Sequence, residues 1–468
     1  MKRYRWLIVV VLAFAMIAAA CASDDTGDTT TTAAGETPTT AAGGDETPTT
    51  AGGESGATGE VSVFAAFSGV EAQAVQQVID EKINAVKGYE AVVEGSDSFE
   101  EQIKIRIDGG NPPDVAVYPQ PGSVVEQGDL GNAIALEDLG FDIADLEALF
   151  GPYLVSLGQG ADGKHYGLPT NVNLKSLVWY PKAAFDAAGY TVPTTWDDMI
   201  ALSDQIVADG ASPWCIGIGS DAATGWPATD WMEDIMLRTA GPEKYDQWVS
   251  HELPFSSPEV TRAAELLGQV AFTEGYVLGG ASSIPSIDFR DAPDPMFNDP
   301  PSCYMHRQAT FITNFFNRLG EEEGASGLVA GEDYAVFAFP DIDPGLKGAL
   351  GAGEMAAIFR DGPEVREFLA DFIDADVQCA QGSIEGVARI SPNINVGPDC
   401  YRDDLVATAA GAIVDALKVD GFRFDASDLM PSAVGSGSFW TGMIDYMVGG
   451  PDSLAGVLED IDASWPAS

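Results

Sequence analysis

Short apolar runs alternate with stripes of helical spacing from about residue 60 onward. EVSVFAAF (60–67) alternates polar and apolar positions and then turns apolar throughout, like a strand entering a core. Ser68 and Gly69 break it. In VEAQAVQQVIDEKINAV (70–86), Val75, Val78, Ile79 and Ile83 fall on one helical stripe. YEAVVEG (89–95) reads as a second strand. SFEEQIKIRIDGG (98–110) follows as a helix, with Ser98 and Glu101 in the spacing of a capping box. PPDVAVYPQ (112–120) is a third strand, because its prolines exclude helix at the start. Strand, helix, strand, helix, strand describes a parallel α/β sheet. Two extended pieces around Pro169 lead to a helix near Pro181, and Thr194 with Asp197 marks another capped start. Helical segments dominate to about Leu319, a strand is expected near 354–360, and a helix follows Pro363. The tail from Ser391 reads as mainly helical.

The N-terminal end has a different texture. Lys2, Arg3 and Arg5 precede an uncharged apolar run from Trp6 to Ala20, too short for a bilayer-spanning helix and expected to be a signal peptide over 1–20. The small residues before Cys21 resemble a bacterial lipobox, which implies cleavage before Cys21 and lipidation there, although Ala18 stands where such boxes usually carry Leu. Between Ala22 and Thr58 there is no Leu, Ile, Val, Met or aromatic residue, and ETPTTA occurs at 36–41 and again at 46–51. Such a segment cannot bury enough apolar surface to offset the entropy of ordering it, so 21–58 is expected to be a disordered tether. The remainder is longer than one core usually supports, and two lobes are the natural expectation.

Charge and cysteine usage narrow the function classes. The chain has 72 acidic and 23 basic residues, a formal net charge of −49, which repels phosphate backbones and argues against nucleic acid as a partner. Besides Cys21 there are Cys215, Cys303, Cys379 and Cys400, which outside the cell suggest two disulfides with three possible pairings. The expected pairing is Cys215 with Cys303 and Cys379 with Cys400; buried free thiols are the alternative. His165, His251 and His306 have no spacing that builds a metal site, and neither a Gly-x-Ser-x-Gly elbow nor a phosphate loop is present. GAGEMA (351–356) grazes a dinucleotide fingerprint, but it leads into a strand where that motif requires a helix N-terminus. No catalytic residue, cofactor or metal is expected.

Several blocks in order carry a resemblance: SVFAAFSGVEAQAVQQVI (62–79), DSFEEQIKIRIDGGNPPDVAVYPQPG (97–122), HYGLPTNVNLKSLVWYPKAAFDAAGYTVPTTWDDM (165–199), SPWCIGIGSDAATGWPATDWMEDIML (212–237) and PSCYMHRQATF (301–311). Together they resemble the family 1 extracellular solute-binding proteins of ABC importers, nearest to the α-glucoside and oligosaccharide members related to maltose-binding protein. The resemblance implies an α/β, two-lobed, periplasmic-binding-protein-like (type II) fold with a ligand cleft between the lobes. Its hinge would be crossed near 166–173, 355–359 and 387–392. The N-terminal lobe would comprise 59–168 plus 356–388, and the C-terminal lobe 172–352 plus 392–468. It implies a lipid-anchored monomer on the extracellular face of the cell membrane that captures a carbohydrate and hands it to ABC permease subunits. A non-sugar solute, or an extracellular glycan-acting enzyme, are the alternatives.

Candidate ligand contacts follow from sugar chemistry and from the implied fold. A pyranose has an apolar C–H face and a rim of hydroxyls, so its site needs flat rings and fixed polar groups. ATGWPATDWMED (223–234) offers Trp226 and Trp231 as rings and Asp230 as an acceptor. Loops after parallel strands face the cleft, which selects Phe67, Ser68, Glu71 and Gln120. Ser68 has the alternative of capping its helix. Asn171, Asn173, Glu354 and Met355 lie on the implied crossings. Trp179 and Tyr180 are neighbours on a strand, so only one of them can face the cleft. Arg307 brings a planar fork of donors suited to hydroxyls or to an ion pair.

Overall fold

The computed structural model describes residues 57–316, 327–384 and 387–466. The expected signal peptide, Cys21 and nearly all of the tether lie outside the described residues. Among the described residues, the Ala57 N–H donates to the Glu367 carboxylate at 3.3 Å. Among the described residues no helix is long and apolar enough to cross a membrane.

The first sheet starts as the periodicity requires. Strands β1 (Gly59–Ala65), β2 (Tyr89–Gly95) and β3 (Val115–Tyr118) are parallel, with β1 in the middle. Helices α1 (Gly69–Ile79), α2 (Phe99–Asp108) and α3 (Pro121–Asp129) follow them in turn. Val75, Val78 and Ile79 of α1 are buried against this sheet, as their stripe demands. The capping expectations hold only in position. Ser68 and Ser98 stand at the N-caps of α1 and α2, but neither side chain bonds the helix backbone.

Three further strands complete this layer. Strand β4 (Leu168–Leu174) and the long β9 (Ala349–Ile358) run antiparallel to one another, β9 is antiparallel to β3, and the short β10 (Phe422–Phe424) pairs parallel with β9. The second sheet has the order β6-β7-β5-β8, built from β5 (Leu177–Tyr180), β6 (Ser212–Trp214), β7 (Cys303–Arg307) and β8 (Ala335–Ala338). Helices pack around it in a core that includes Trp231, Tyr245, Trp248 and Met443.

The chain crosses between the layers at other places than expected. It leaves the first sheet at Lys175 and Ser176, between β4 and β5, and returns over 339–348. The segments 166–173, 355–359 and 387–392 instead lie side by side in the first layer, where Val172 bridges Ile390 and Leu168 faces Ala356. β4 and β9 satisfy each other's backbone groups along their paired length before the chain departs. Residues 172–174 and 349–352, and the helix Asp404–Lys418, therefore belong with the first sheet, where Val406, Ala409 and Ile413 are buried. After β10 the chain turns back to the second core through Ala426 and Met430. Both expected disulfides, Cys215–Cys303 and Cys379–Cys400, are formed.

Candidate functional site

A cavity of about 490 Å³ opens where the loops after β1, β2 and β3 meet the second layer. That size falls in the usual range for small-molecule sites. From the first layer come Phe67, Ser68 and Glu71, then Asp97 and Glu100, then Gln120; β4 and β9 add Asn173 and Glu354, and Lys175 follows β4 directly. The opposite wall carries Trp226, Phe289, Phe311, Phe315 and Trp440, with Asn314, Asp425 and Asp428.

The aromatic wall is assembled locally. Trp226 is the first residue of the helix Trp226–Thr239, with Pro227 in its first turn. Gly225 precedes it at φ 117°, and a Cβ there would stand 2.2 Å from the Trp440 carbonyl oxygen. Only glycine permits that approach, which brings both indoles to the same cavity. Trp226 meets Phe289 edge-on with centroids 4.9 Å apart, and Phe289 meets Phe315 at 5.6 Å.

Under the rings lies a buried ionic network. Lys175 bonds Asp230 at 2.8 Å and also Asp425, and its ammonium sits 5.1 Å over the Trp226 ring. Arg307 bonds Asp230 at 2.8 Å and Asp234 at 2.7 Å, and Asp234 also holds Arg238 at 2.6 Å. Burial opposes the charge on Lys175, but the carboxylates of Asp230 and Asp425 outweigh it and hold the ammonium above the lysine range. Burial also works against Asp425, yet Lys175 pulls its carboxyl down to about 2. Asp230 is pushed up by burial, but each of its oxygens faces a cation at 2.8 Å, and that geometry keeps it ionised. Burial, then the charge of Asp425, pushes Glu233 and Asp428 well above the carboxylate range. Lys175, Arg307 and Arg238 are each ion-paired with one or more of Asp230, Asp234 and Asp425. Asp230, Glu233 and Asp425 are close enough to hold a metal ion, but the Lys175 ammonium already bridges two of them.

A second ion cluster supports the other wall. Arg389, buried beneath the Phe67 ring at 4.8 Å, bonds Glu71 at 2.7 Å and Glu354 at 2.8 Å. Near the mouth, Arg290 reaches Asp97 at 3.1 Å, and Ser68 donates to the same carboxylate. Ser68 thus lines the cavity without capping α1.

Seven of the sequence-selected residues line the cavity: Phe67, Ser68, Glu71, Gln120, Asn173, Trp226 and Glu354. The other seven do not. Trp231 is 3 % exposed and packs on Trp214 and Phe339. Five residues along a helix turn about 140° round its axis, so Trp226 and Trp231 point to different faces. Asp230 and Arg307 are fully buried in the ionic network. Trp179 donates its indole N–H to the Gln308 carbonyl at 2.7 Å, and Tyr180 packs on Phe185 and Phe337, so neither faces the cavity. Asn171 accepts from the Ile390 N–H at 3.1 Å, and Met355 is buried opposite Tyr118. Lys175, Glu100, Asp97 and Asp428 escaped the sequence reading. The rule that selected Phe67 and Gln120 applies equally to Asp97 and Glu100, which follow β2 directly.

Residues 68–378 match the model of the bacterial extracellular solute-binding protein family. The chain is 41 % identical to the α-glucosides-binding periplasmic protein AglE of Rhizobium meliloti (strain 1021), across 81 % of each chain. It is 37 % identical to the osmoprotective compounds-binding protein GgtB of Synechocystis sp. (strain ATCC 27184 / PCC 6803 / Kazusa), across 87 % of this chain and 92 % of that one. Its fold is shared with the bacterial solute receptor AcbH, with a TM-score of 0.71 at 18 % identity, covering 87 % of this chain and 98 % of that one. The two layers, the cavity between them and these likenesses agree: the chain belongs to the bacterial extracellular solute-binding protein family, with its two-lobed α/β fold.

Proposed function

We propose that this protein captures a carbohydrate, an α-glucoside or a related oligosaccharide, in the 490 Å³ cavity and delivers it to the permease of an ABC importer. The observation that carries the reading is the wall in which Trp226, Phe289 and Phe311 offer half-buried rings beside Gln120, Asn173, Glu100 and Asp428. Rings suit the C–H faces of a pyranose, and the polar groups suit its hydroxyl edge. The likeness to AglE supports an α-glucoside. Binding without bond chemistry is the activity, and ATP is hydrolysed by the partner subunits. A ligand touching both walls favours the closed arrangement by its differential affinity for it. The chain works outside the cytoplasm as a monomer, held to the membrane by a lipid on Cys21. GgtB supports a second reading, a small osmoprotective solute in the same cavity. Isothermal titration with trehalose, sucrose, maltooligosaccharides and galactosides tests the first: saturable one-to-one binding of an α-glucoside supports it, and heat only from compact osmoprotectants favours the second.

A further inference from the structure

Six carboxyl groups line the cavity, and four of them have a cation. Arg389 serves Glu71 and Glu354, Arg290 serves Asp97, and Lys175 serves Asp425. Among the described residues Glu100 and Asp428 form no ion pair. Glu100 stands in the first turn of α2, and its side-chain partner is the amide of Gln120 at 3.1 Å. Asp428 is 6 % exposed, and among the described residues its carboxyl makes no hydrogen bond or ion pair. Its backbone N–H is already satisfied by Asp425. A polar group withdrawn from water and aimed into a cavity without a partner is a group waiting for one.

We propose that Glu100 and Asp428 are the anchoring pair of this cavity, binding hydroxyl groups of a neutral polyhydroxylated solute. This rests on the carbohydrate reading above and names the side chains that select among its hydroxyls. The two groups come from different walls. Glu100 belongs to a helix on the first sheet, and Asp428 to the short helix Ala426–Leu429, whose Ala426 is buried in the second core. One ligand that satisfies both ties the walls together. Burial lifts both carboxyls above their ordinary range, and the Glu100 charge adds to the shift of Asp428. A carboxyl oxygen accepts from a sugar hydroxyl, and both groups stand at the same cavity to do so. The six acids together disfavour an anion.

Titration calorimetry on the full chain tests the pair, using the sugar that the parent binds most tightly and its monodeoxy analogues. Glu100→Ala and Asp428→Ala should each weaken binding ten- to a hundredfold, whereas Glu100→Gln and Asp428→Asn, which keep a donor and an acceptor, should stay within about threefold. The parent should lose the same factor with one particular deoxy analogue, and the matching alanine variant should no longer discriminate against that analogue. Thermal melting of the ligand-free variants reports folding, and Glu100→Ala decides alone if Asp428→Ala fails to fold. Alanine variants that bind like the parent overturn the pair while leaving the carbohydrate reading intact. Amide variants as weak as the alanine ones, with tetramethylammonium displacing the sugar, overturn it in favour of a cationic solute. A parent that binds no sugar overturns the underlying reading and the pair with it.

Discussion

Replacing Asp230 with alanine should damage the fold far more than a surface change would. Its carboxylate accepts from Lys175 at 2.8 Å and from Arg307 at 2.8 Å, and both it and Arg307 are fully buried. Each bond to a charged group is worth about 1.5–3 kcal/mol, and removing one member of a buried pair strands the other charge at a cost of about 3–5 kcal/mol. Here two cations lose a partner at once. Asp425 and Asp234 still hold one each, which keeps the expected loss within that range. For a folded part of this length the melting midpoint should fall by about 4–6 °C. The assay is thermal unfolding followed by circular dichroism at neutral pH, with Asp230→Asn as the companion that keeps the shape and loses the charge. Midpoints of both variants within 1 °C of the parent would refute the reasoning, because Asp230 would then be neither ionised nor structural.

Other substitutions separate cavity from core. Trp226→Ala should weaken sugar binding by about 1.5–3 kcal/mol, the scale of uncovering one large apolar side chain, with little change in melting; unchanged affinity by titration would place the ligand elsewhere. Trp231→Ala should do the reverse, costing about 3–5 kcal/mol in urea unfolding as a core cavity, while its binding constant stays near the parent's. The Cys215–Cys303 bridge spans 88 residues and Cys379–Cys400 spans 21, so paired serine variants should differ in unfolding free energy by about 1.3 kcal/mol, with the longer loop losing more. His306 gives a pH signature. Its Nδ1–H donates to the Cys215 carbonyl at 2.8 Å, and Nε2 is buried without a partner. Burial, with Arg307 adding, lowers its pKa to about 4. Between the unfolded value near 6.5 and about 4, the unfolded chain holds the proton and the folded one does not, so stability falls as pH drops through that window, by about 3 kcal/mol. His306→Gln should flatten this part of the urea-midpoint profile.

What the sequence revealed and what it hid have physical causes. The parallel core β1, β2 and β3 was legible because alternation and the stripe of Val75, Val78 and Ile79 impose different periods on neighbouring segments. Strands β8 and β10, four and three residues long, are too short to show any period. The helix start expected at Thr194 lies one residue later, where Thr195 accepts from the Asp198 N–H. The boundary of the helix opened by Gly225, Trp226 and Pro227 was not drawn from the sequence, although proline in the first turn is a helix opener. Read as a helix, the same residues place Asp230, Asp234 and Arg238 four apart on one face, as a charged stripe that needs buried partners. Lys175 was hidden because a single lysine in an extended run carries no pattern. Its role depends on Asp425, 250 residues away.

The most direct measurement is intrinsic tryptophan fluorescence titrated with the sugar panel, comparing the parent with Trp226→Ala and Trp440→Phe. Trp226 is half-buried at the cavity and Trp440 borders it from a buried position, whereas Trp231, Trp179, Trp214 and Trp248 lie in cores away from it. The account predicts a saturable change with one α-glucoside that shrinks in both variants, with affinity falling at least tenfold in Trp226→Ala. A signal that saturates equally in all three proteins, or no response to any sugar, would contradict it.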